Sequence, residues 1–219
     1  MTRKLSSSSK KSRKPRRRRS SKSQFHHSAK ANSIEIAKQY HRSGSLLKAG
    51  EICQSILNLD PNNAEALHLL GIISYQEGKN ENAVDLMSRA LDINPDFTDA
   101  HSNLGIALHD LGKLDEAVAS YRKALDIDPD FADAHNNLGV ALGELGEQEE
   151  AITCHRRATI LNPQNDLFWD SLAWTLESIS FTSVDDIILQ DLLFLLGRPT
   201  VHPGYLVRPI ISALRCHPG

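Results

Sequence analysis

The fold is decided by residues 98–131, which read TDAHSNLGIALHDLGKLDEAVASYRKALDIDPDF. Residues 132–165 repeat the same layout as ADAHNNLGVALGELGEQEEAITCHRRATILNPQN. Three kinds of residue recur every 34 positions along the chain: Pro61, Pro95, Pro129 and Pro163; Gly44, Gly78, Gly112 and Gly146; and Ala49, Ala83, Ala117 and Ala151. Three interleaved series in one register do not arise by chance, so the chain contains an internal repeat.

Each repeat unit divides into two helical stretches of about 14 residues. In residues 98–131 the first stretch ends before Gly112, because glycine readily takes the left-handed conformation that ends a helix. The second stretch ends at Asp128-Pro129, since proline cannot donate a hydrogen bond inside a helix and restrains the residue before it. One such pair cannot bury its apolar face alone, so the sequence predicts that neighbouring pairs stack.

A fixed set of residues recurs inside the units. In 98–131 it comprises His101, Leu104, Gly105, Ala117, Tyr121, Ala124 and Pro129. Residues 132–165 carry His135, Leu138, Gly139, Ala151, His155, Ala158 and Pro163, and residues 64–97 carry Leu67, Leu70, Gly71, Ala83, Met87, Ala90 and Pro95. Residues 30–63 match more loosely, with Ile36, Ala37, Ala49, Cys53, Ile56 and Pro61. This set resembles the tetratricopeptide repeat, which implies an all-α, right-handed helical-repeat solenoid that binds partners.

The chain divides into three parts. We predict a disordered basic arm at 1–29 and a degenerate fifth repeat with C-terminal capping helices at 166–219. Residues 30–163 hold four tetratricopeptide repeats, at 30–63, 64–97, 98–131 and 132–165.

The C-terminal part departs from the repeat pattern. Ser180 stands where the repeats have glycine, and Gly197 stands where they have proline. We predict helices at 183–197 and 205–214. Residues 187–196 hold eight large apolar residues in ten. That apolar helix is covered by the final helix, by self-association of this end, or by a further domain.

The N-terminal arm carries most of the positive charge. Residues 1–24 contain five Lys and six Arg with no acid, about +11, whereas the rest of the chain holds 14 basic and 27 acidic residues, about −13. A segment of Ser, Lys and Arg cannot bury enough apolar surface to become ordered. Four roles are open for it: a solvated tail, contact with nucleic acid or another anionic polymer, contact with anionic lipid, and contact with the acidic body. Residues 10–19 would also serve as a nuclear-import signal.

Motifs that carry enzymatic chemistry are not found in the sequence. The three cysteines form no CxxC pair, and no HExxH, GxxxxGK[ST], GxGxxG or GxSxG stretch is present. His101, His135 and His155 occupy positions where the repeats place packing residues. No apolar run is long enough to span a membrane, and the N-terminus has no apolar signal region. We therefore expect a protein without catalytic residues, cofactor or metal, in a reducing compartment: the cytoplasm, or the nucleus of a eukaryote.

The polar residues of the first helices are the candidate site, because in the tetratricopeptide fold these helices line the concave surface. Asn103 and Asn137 are register-equivalent, and they resemble the asparagines that hold a peptide backbone in the superhelical repeats of O-linked N-acetylglucosamine transferases. An amide can both donate to and accept from an extended chain. The alternative is that both are ordinary solvated asparagines. The same register gives an acidic groove that favours a basic or neutral peptide, with candidate residues Glu65, Asp99, Asp110, Asp133 and Glu144.

The function predicted from the sequence is therefore a protein-interaction scaffold that holds an extended peptide or a helix in its groove. Two alternatives stay open. The chain is the substrate-presenting N-terminal part of a larger glycosyl-, sulfo- or methyltransferase, or it is an adaptor that contacts nucleic acid through its basic arm.

Overall fold

The computed structural model describes residues 33–177 and Leu195, and the regular structure in them is α-helical. Helix α1 occupies residues 33–42 of this range. The helices that follow up to residue 177 are α2 (Leu46–Leu59), α3 (Ala64–Gln76), α4 (Asn80–Ile93), α5 (Thr98–Asp110), α6 (Leu114–Ile127), α7 (Ala132–Leu145), α8 (Gln148–Leu161) and α9 (Asp166–Glu177). The basic arm and the predicted helices at 183–197 and 205–214 lie outside the described residues, except that Leu195 is helical and buried.

Glycines with a left-handed backbone separate the first helix of each pair from the second, as the sequence predicts. Gly44, Gly78, Gly112 and Gly146 have φ angles of 77°, 75°, 72° and 87°. A Cβ atom added at any of the four would meet nothing within 4 Å. The backbone conformation, and not a lack of space, therefore requires glycine at these turns.

A side-chain hydrogen bond ties each of three first helices to the proline turn before it. The Nε2 atoms of His101 and His135 lie 2.8 and 2.9 Å from the carbonyl oxygens of Pro95 and Pro129. Trp169 Nε1 donates to the Pro163 carbonyl over 3.1 Å in the same way. Because a carbonyl oxygen only accepts, both histidines carry a proton on Nε2. His101 and His135 therefore have a second role besides the predicted packing: each donates a hydrogen bond to the backbone, as Trp169 does.

Helices within a pair approach closely at the glycine of each Leu-Gly dipeptide. A Cβ on Gly105 would lie 2.5–2.8 Å from the ring of Tyr121, and one on Gly139 would lie 2.7–2.9 Å from the ring of His155. At Gly71 the corresponding neighbour is Met87, at 2.9 Å. The side chain 16 residues downstream thus fills the space that the glycine leaves, and it is buried in each case.

The first helices line the concave side of the array. The backbones of α3 and α5, of α5 and α7, and of α7 and α9 approach within 8 Å, whereas those of α4 and α6 and of α6 and α8 do not. Only long side chains such as Arg122 and Glu150 join α6 to α8. Stacked pairs whose first helices lie closer together than their second helices must curve toward the first helices. The all-α solenoid predicted from the sequence is therefore confirmed, with α1, α3, α5, α7 and α9 on its inner surface.

Candidate binding groove

The inner surface repeats one arrangement of side chains, which we call the groove face. Four positions separated by 4, 3 and 4 residues fall on one side of a helix. On α5 they are Asp99, Asn103, Ile106 and Asp110, and on α7 they are Asp133, Asn137, Val140 and Glu144. The two helices therefore present the same order: an acid, an amide, a branched aliphatic side chain and a second acid.

The outer repeats vary this arrangement. Helix α3 presents Glu65, Leu69, Ile72 and Gln76, and helix α1 presents Glu35, Lys38 and Arg42. Helix α9 presents Leu167, Ser171 and Trp174, of which the leucine and the tryptophan are 69% and 55% exposed. Along the described groove the character thus changes from mixed charge, through acidic, to apolar.

The structure places all seven sequence-predicted residues on the groove face, in different environments. Lys38 Nζ lies 2.6 Å from Glu65 Oε2, so this carboxylate is paired. Asp99 and Asp133 are exposed and form no ion pair with any described residue. Asp110 and Glu144 instead accept hydrogen bonds from the neighbouring first helix.

A series of hydrogen bonds joins consecutive first helices along one edge of the groove, always between residues 35 apart. His41 Nε2 is 2.9 Å from Gln76 Oε1. Tyr75 donates its hydroxyl to Asp110 Oδ2 over 2.7 Å, and His109 Nε2 is 3.0 Å from Glu144 Oε1. Hydrogen bonding to Asp110, more than burial, raises the pKa of Tyr75 to about 12, so this donor stays neutral. These bonds fix the position of the two carboxylates.

The two asparagines of the groove differ in their partners. Asn103 Nδ2 is 2.9 Å from Nε2 of His68, a bond that again spans 35 residues. The His68 ring is buried against Phe97, and burial lowers its pKa to about 4. A neutral imidazole can accept from the amide, which leaves the Asn103 carbonyl for a ligand. Asn137 forms no hydrogen bond with any described residue, because the residue 35 before it is the short, buried Ser102.

An open cavity of about 480 Å³ lies at the N-terminal end of the groove. Its walls come from α1, α3 and the start of α5, with Lys38, Arg42, Glu65, Ile72, Phe97 and Asp99 among the lining residues. Lys38 pairs with Glu65, and Arg42 lies 3.2 Å from Glu35, so both cations of this end are partly neutralised. The cavity therefore offers an apolar floor with charges of both signs at its rim.

The repeats bury two cysteines and His155, and burial shifts the pKa of each. Burial raises the pKa of the Cys53 and Cys154 thiols to about 11 and lowers the pKa of His155 to about 4. Among the described residues no group of three His, Cys, Asp or Glu side chains could hold a metal ion. Of the described helices, none combines the length and apolar character needed to cross a membrane.

Comparison with known protein families identifies the repeat. A family model described as TPR repeat matches residues 73–112 and 107–146, and one described as Tetratricopeptide repeat matches residues 132–165. No curated protein sequence matches the chain significantly.

Solved structures share the fold at low sequence identity. A MamA structure is 19% identical, covers 81% of this chain and 94% of its own, and superposes with a TM-score of 0.62. MamA from Desulfovibrio magneticus RS-1 is 21% identical over 67% of this chain and 82% of its own, with a TM-score of 0.60. The APC/C hetero-tetramer Cut9–Hcn1 is 21% identical over 67% of this chain but only 30% of its own, with a TM-score of 0.63. Such identities establish the architecture alone. The finer likeness to O-linked N-acetylglucosamine transferases stays a prediction.

Proposed function

Because this chain is a tetratricopeptide-repeat protein, we propose that it is a non-enzymatic scaffold that binds a segment of a partner protein along its groove. The observation that carries the proposal is the groove face of α5 and α7, where an acid, an amide, an aliphatic side chain and an acid recur in the same order. Among the structures of the same fold is the APC/C hetero-tetramer Cut9–Hcn1, an assembly of different chains.

The groove face suits a peptide chain better than a small molecule. Ile72, Ile106 and Val140 form a half-buried stripe along the middle of α3, α5 and α7. Side chains on either side of the stripe supply hydrogen-bond acceptors, and Asn137 supplies a free donor as well. Packed helices lie about 8–10 Å apart, so five first helices offer a groove about 40 Å long. A ligand of that length is an extended segment of about 12 residues or a helix of several turns.

The test fills the groove at α7. Asn137→Trp places a large side chain at a half-buried position that has no internal hydrogen bond to lose. Thr153→Trp is the matched control, because Thr153 is exposed on the second helix of the same repeat. For a partner purified from the source organism, fluorescence anisotropy should give a dissociation constant at least about tenfold weaker with Asn137→Trp and unchanged with Thr153→Trp. If both variants bind the partner equally well, the groove is not the binding surface.

A further inference from the structure

The described repeats are strongly acidic, and part of their unpaired negative charge lines the groove. Residues 33–177 contain 10 Lys and Arg against 24 Asp and Glu, a net charge of −14. From residue 77 onward, the described ion pairs that contain Lys or Arg lie on the second helices and the turns: Lys79–Glu77, Arg89–Asp85, Lys113–Glu116, Arg122–Glu150, Lys123–Asp126 and Arg157–Asp130.

The groove carboxylates of α5 and α7 have no such cation. Asp99, Asp110, Asp133 and Glu144 pair with no Lys or Arg in the described part of the chain. A concave surface lined by charges of one sign focuses its field, because low-dielectric walls exclude the solvent that would screen it. Exposed carboxylates also lie on the second helices, but those of the groove line a concave surface, which makes the groove a candidate cation-binding surface.

We propose that the basic N-terminal segment, residues 1–24, occupies this groove in the same molecule and competes there with partner segments. The proposal rests on the function proposed above, since both use the groove. Charge complementarity supports this occupant: the segment carries about +11 and no acid, and the described repeats carry −14.

The spacing of the basic residues also matches the spacing of the helices. Eight of residues 10–19 are basic, so sets three residues apart are available, among them Lys10, Arg13, Arg16 and Arg19. Three residues of extended chain span about 10 Å, which is close to the distance of about 8–10 Å between packed first helices. An extended segment can thus present one cation to each successive first helix, where the carboxylates of α5 and α7 recur.

The connection to α1 is long enough for this contact. Residues 25–32 separate the basic segment from the described start of α1 and can span about 26 Å when extended. Helix α5 lies two helix spacings from α1 along the groove, about 20 Å. A tether of this length keeps the segment at an effective concentration in the millimolar range, so even weak ionic contacts are populated.

The test uses the full chain and a synthetic peptide of residues 1–24 that carries a fluorescent label. In about 50 mM salt the wild-type chain should bind the peptide weakly, because its own segment fills the groove. The variant K10S/K11S/R13S/K14S/R16S/R17S/R18S/R19S, which we call the arm-neutralised chain, removes the basic residues of 10–19 and weakens the internal competitor. It should bind the peptide about tenfold more tightly. At about 300 mM salt, charges more than a few ångströms apart are screened from one another. The two chains should then bind the peptide with the same affinity.

Two sets of substitutions in the arm-neutralised chain locate the contact. D99N/D110N/D133N removes three groove charges with isosteric side chains, and the amide oxygen introduced by D110N can still accept from Tyr75. The control E81Q/D115N/E149Q removes three exposed charges from the first turns of α4, α6 and α8. The first set should abolish peptide binding and the second should leave most of it.

Two results would overturn the proposal: equal peptide binding by the wild-type and arm-neutralised chains, or equal loss with both sets of carboxylate substitutions. Failure here is separable from failure of the proposed function, because the Asn137→Trp test measures binding of the purified partner and not of the arm peptide. If Asn137→Trp weakens partner binding while the groove carboxylate substitutions leave peptide binding unchanged, the scaffold function stands. Only the internal competition by the arm is then refuted.

Discussion

Substituting Gly105 by alanine tests how the helix pairs are held together. The new Cβ would lie 2.5–2.8 Å from three ring carbons of Tyr121, a separation that real Cβ atoms do not show. The ring is 2% exposed and packs among buried side chains, so it cannot move aside freely. Overpacking of this kind costs about 1–3 kcal/mol, which outweighs the gain of about 1 kcal/mol that alanine brings to a helix interior.

The chain offers a matched control for this substitution. Gly143 also lies inside a first helix, but a Cβ there would meet nothing within 4 Å. Gly143→Ala should therefore stabilise the fold by about 1 kcal/mol through helix propensity alone. A larger residue at the contact, as in Gly105→Leu, should cost more than alanine does. Truncating the ring in Gly105→Ala/Tyr121→Leu should recover part of the loss.

Chemical denaturation followed by far-ultraviolet circular dichroism measures these differences. We expect Gly105→Ala to unfold at lower denaturant than the wild type and Gly143→Ala at higher denaturant. A Gly105→Ala chain that is as stable as Gly143→Ala would refute the close contact with Tyr121 and, with it, the packing of the helix pairs.

The buried and groove side chains give three further predictions. The double variant Asn103→Ala/Asn137→Ala should bind the partner more weakly than the wild type. Of the two single variants, only Asn103→Ala should lower the free energy of unfolding, by about 1 kcal/mol, because it leaves His68 Nε2 without its hydrogen-bond donor. Because burial lowers the pKa of His155 from 6.5 to about 4, the unfolded chain binds a proton in this window that the folded chain does not. Stability should therefore fall as the pH drops from about 6.5 to 4, by up to about 3 kcal/mol for this residue, and His155→Met should lessen the slope in pH-dependent unfolding. Cys53 and Cys154, buried and with pKa values raised to about 11, should resist a thiol reagent at about pH 8 until the chain unfolds; rapid labelling of either in the native state would contradict their burial.

Features that repeat every 34 residues could be predicted from the sequence. The turn glycines Gly44, Gly78, Gly112 and Gly146 recur without a gap, because each answers a local backbone requirement that is the same in every unit. The helix pairs and the all-α solenoid follow from that spacing together with the apolar pattern, and the structure confirms them. The 34-residue spacing also put Asp99, Asn103 and Asp110 in register with Asp133, Asn137 and Glu144, but their role in binding a peptide stays a prediction.

Contacts between neighbouring repeats could not be predicted in this way. The bonds from Tyr75 to Asp110 and from Asn103 to His68 span 35 residues, one more than the repeat, because stacking rotates each pair relative to the next. A 34-residue alignment therefore puts the two partners of each bond in different columns. The repeat spacing also does not show that the principal neighbour of the Leu-Gly glycine is the side chain 16 residues on, such as Tyr121. That detail depends on the crossing of two helices and not on either helix alone.

The central claim is that the inner surface of the repeats holds the partner. A photoreactive phenylalanine analogue placed at residue 137, and separately at residue 153 on the outer surface, tests it with the purified partner. We expect efficient cross-linking from residue 137 to one contiguous segment of the partner and none from residue 153. Cross-links that form only from residue 153 would contradict the claim.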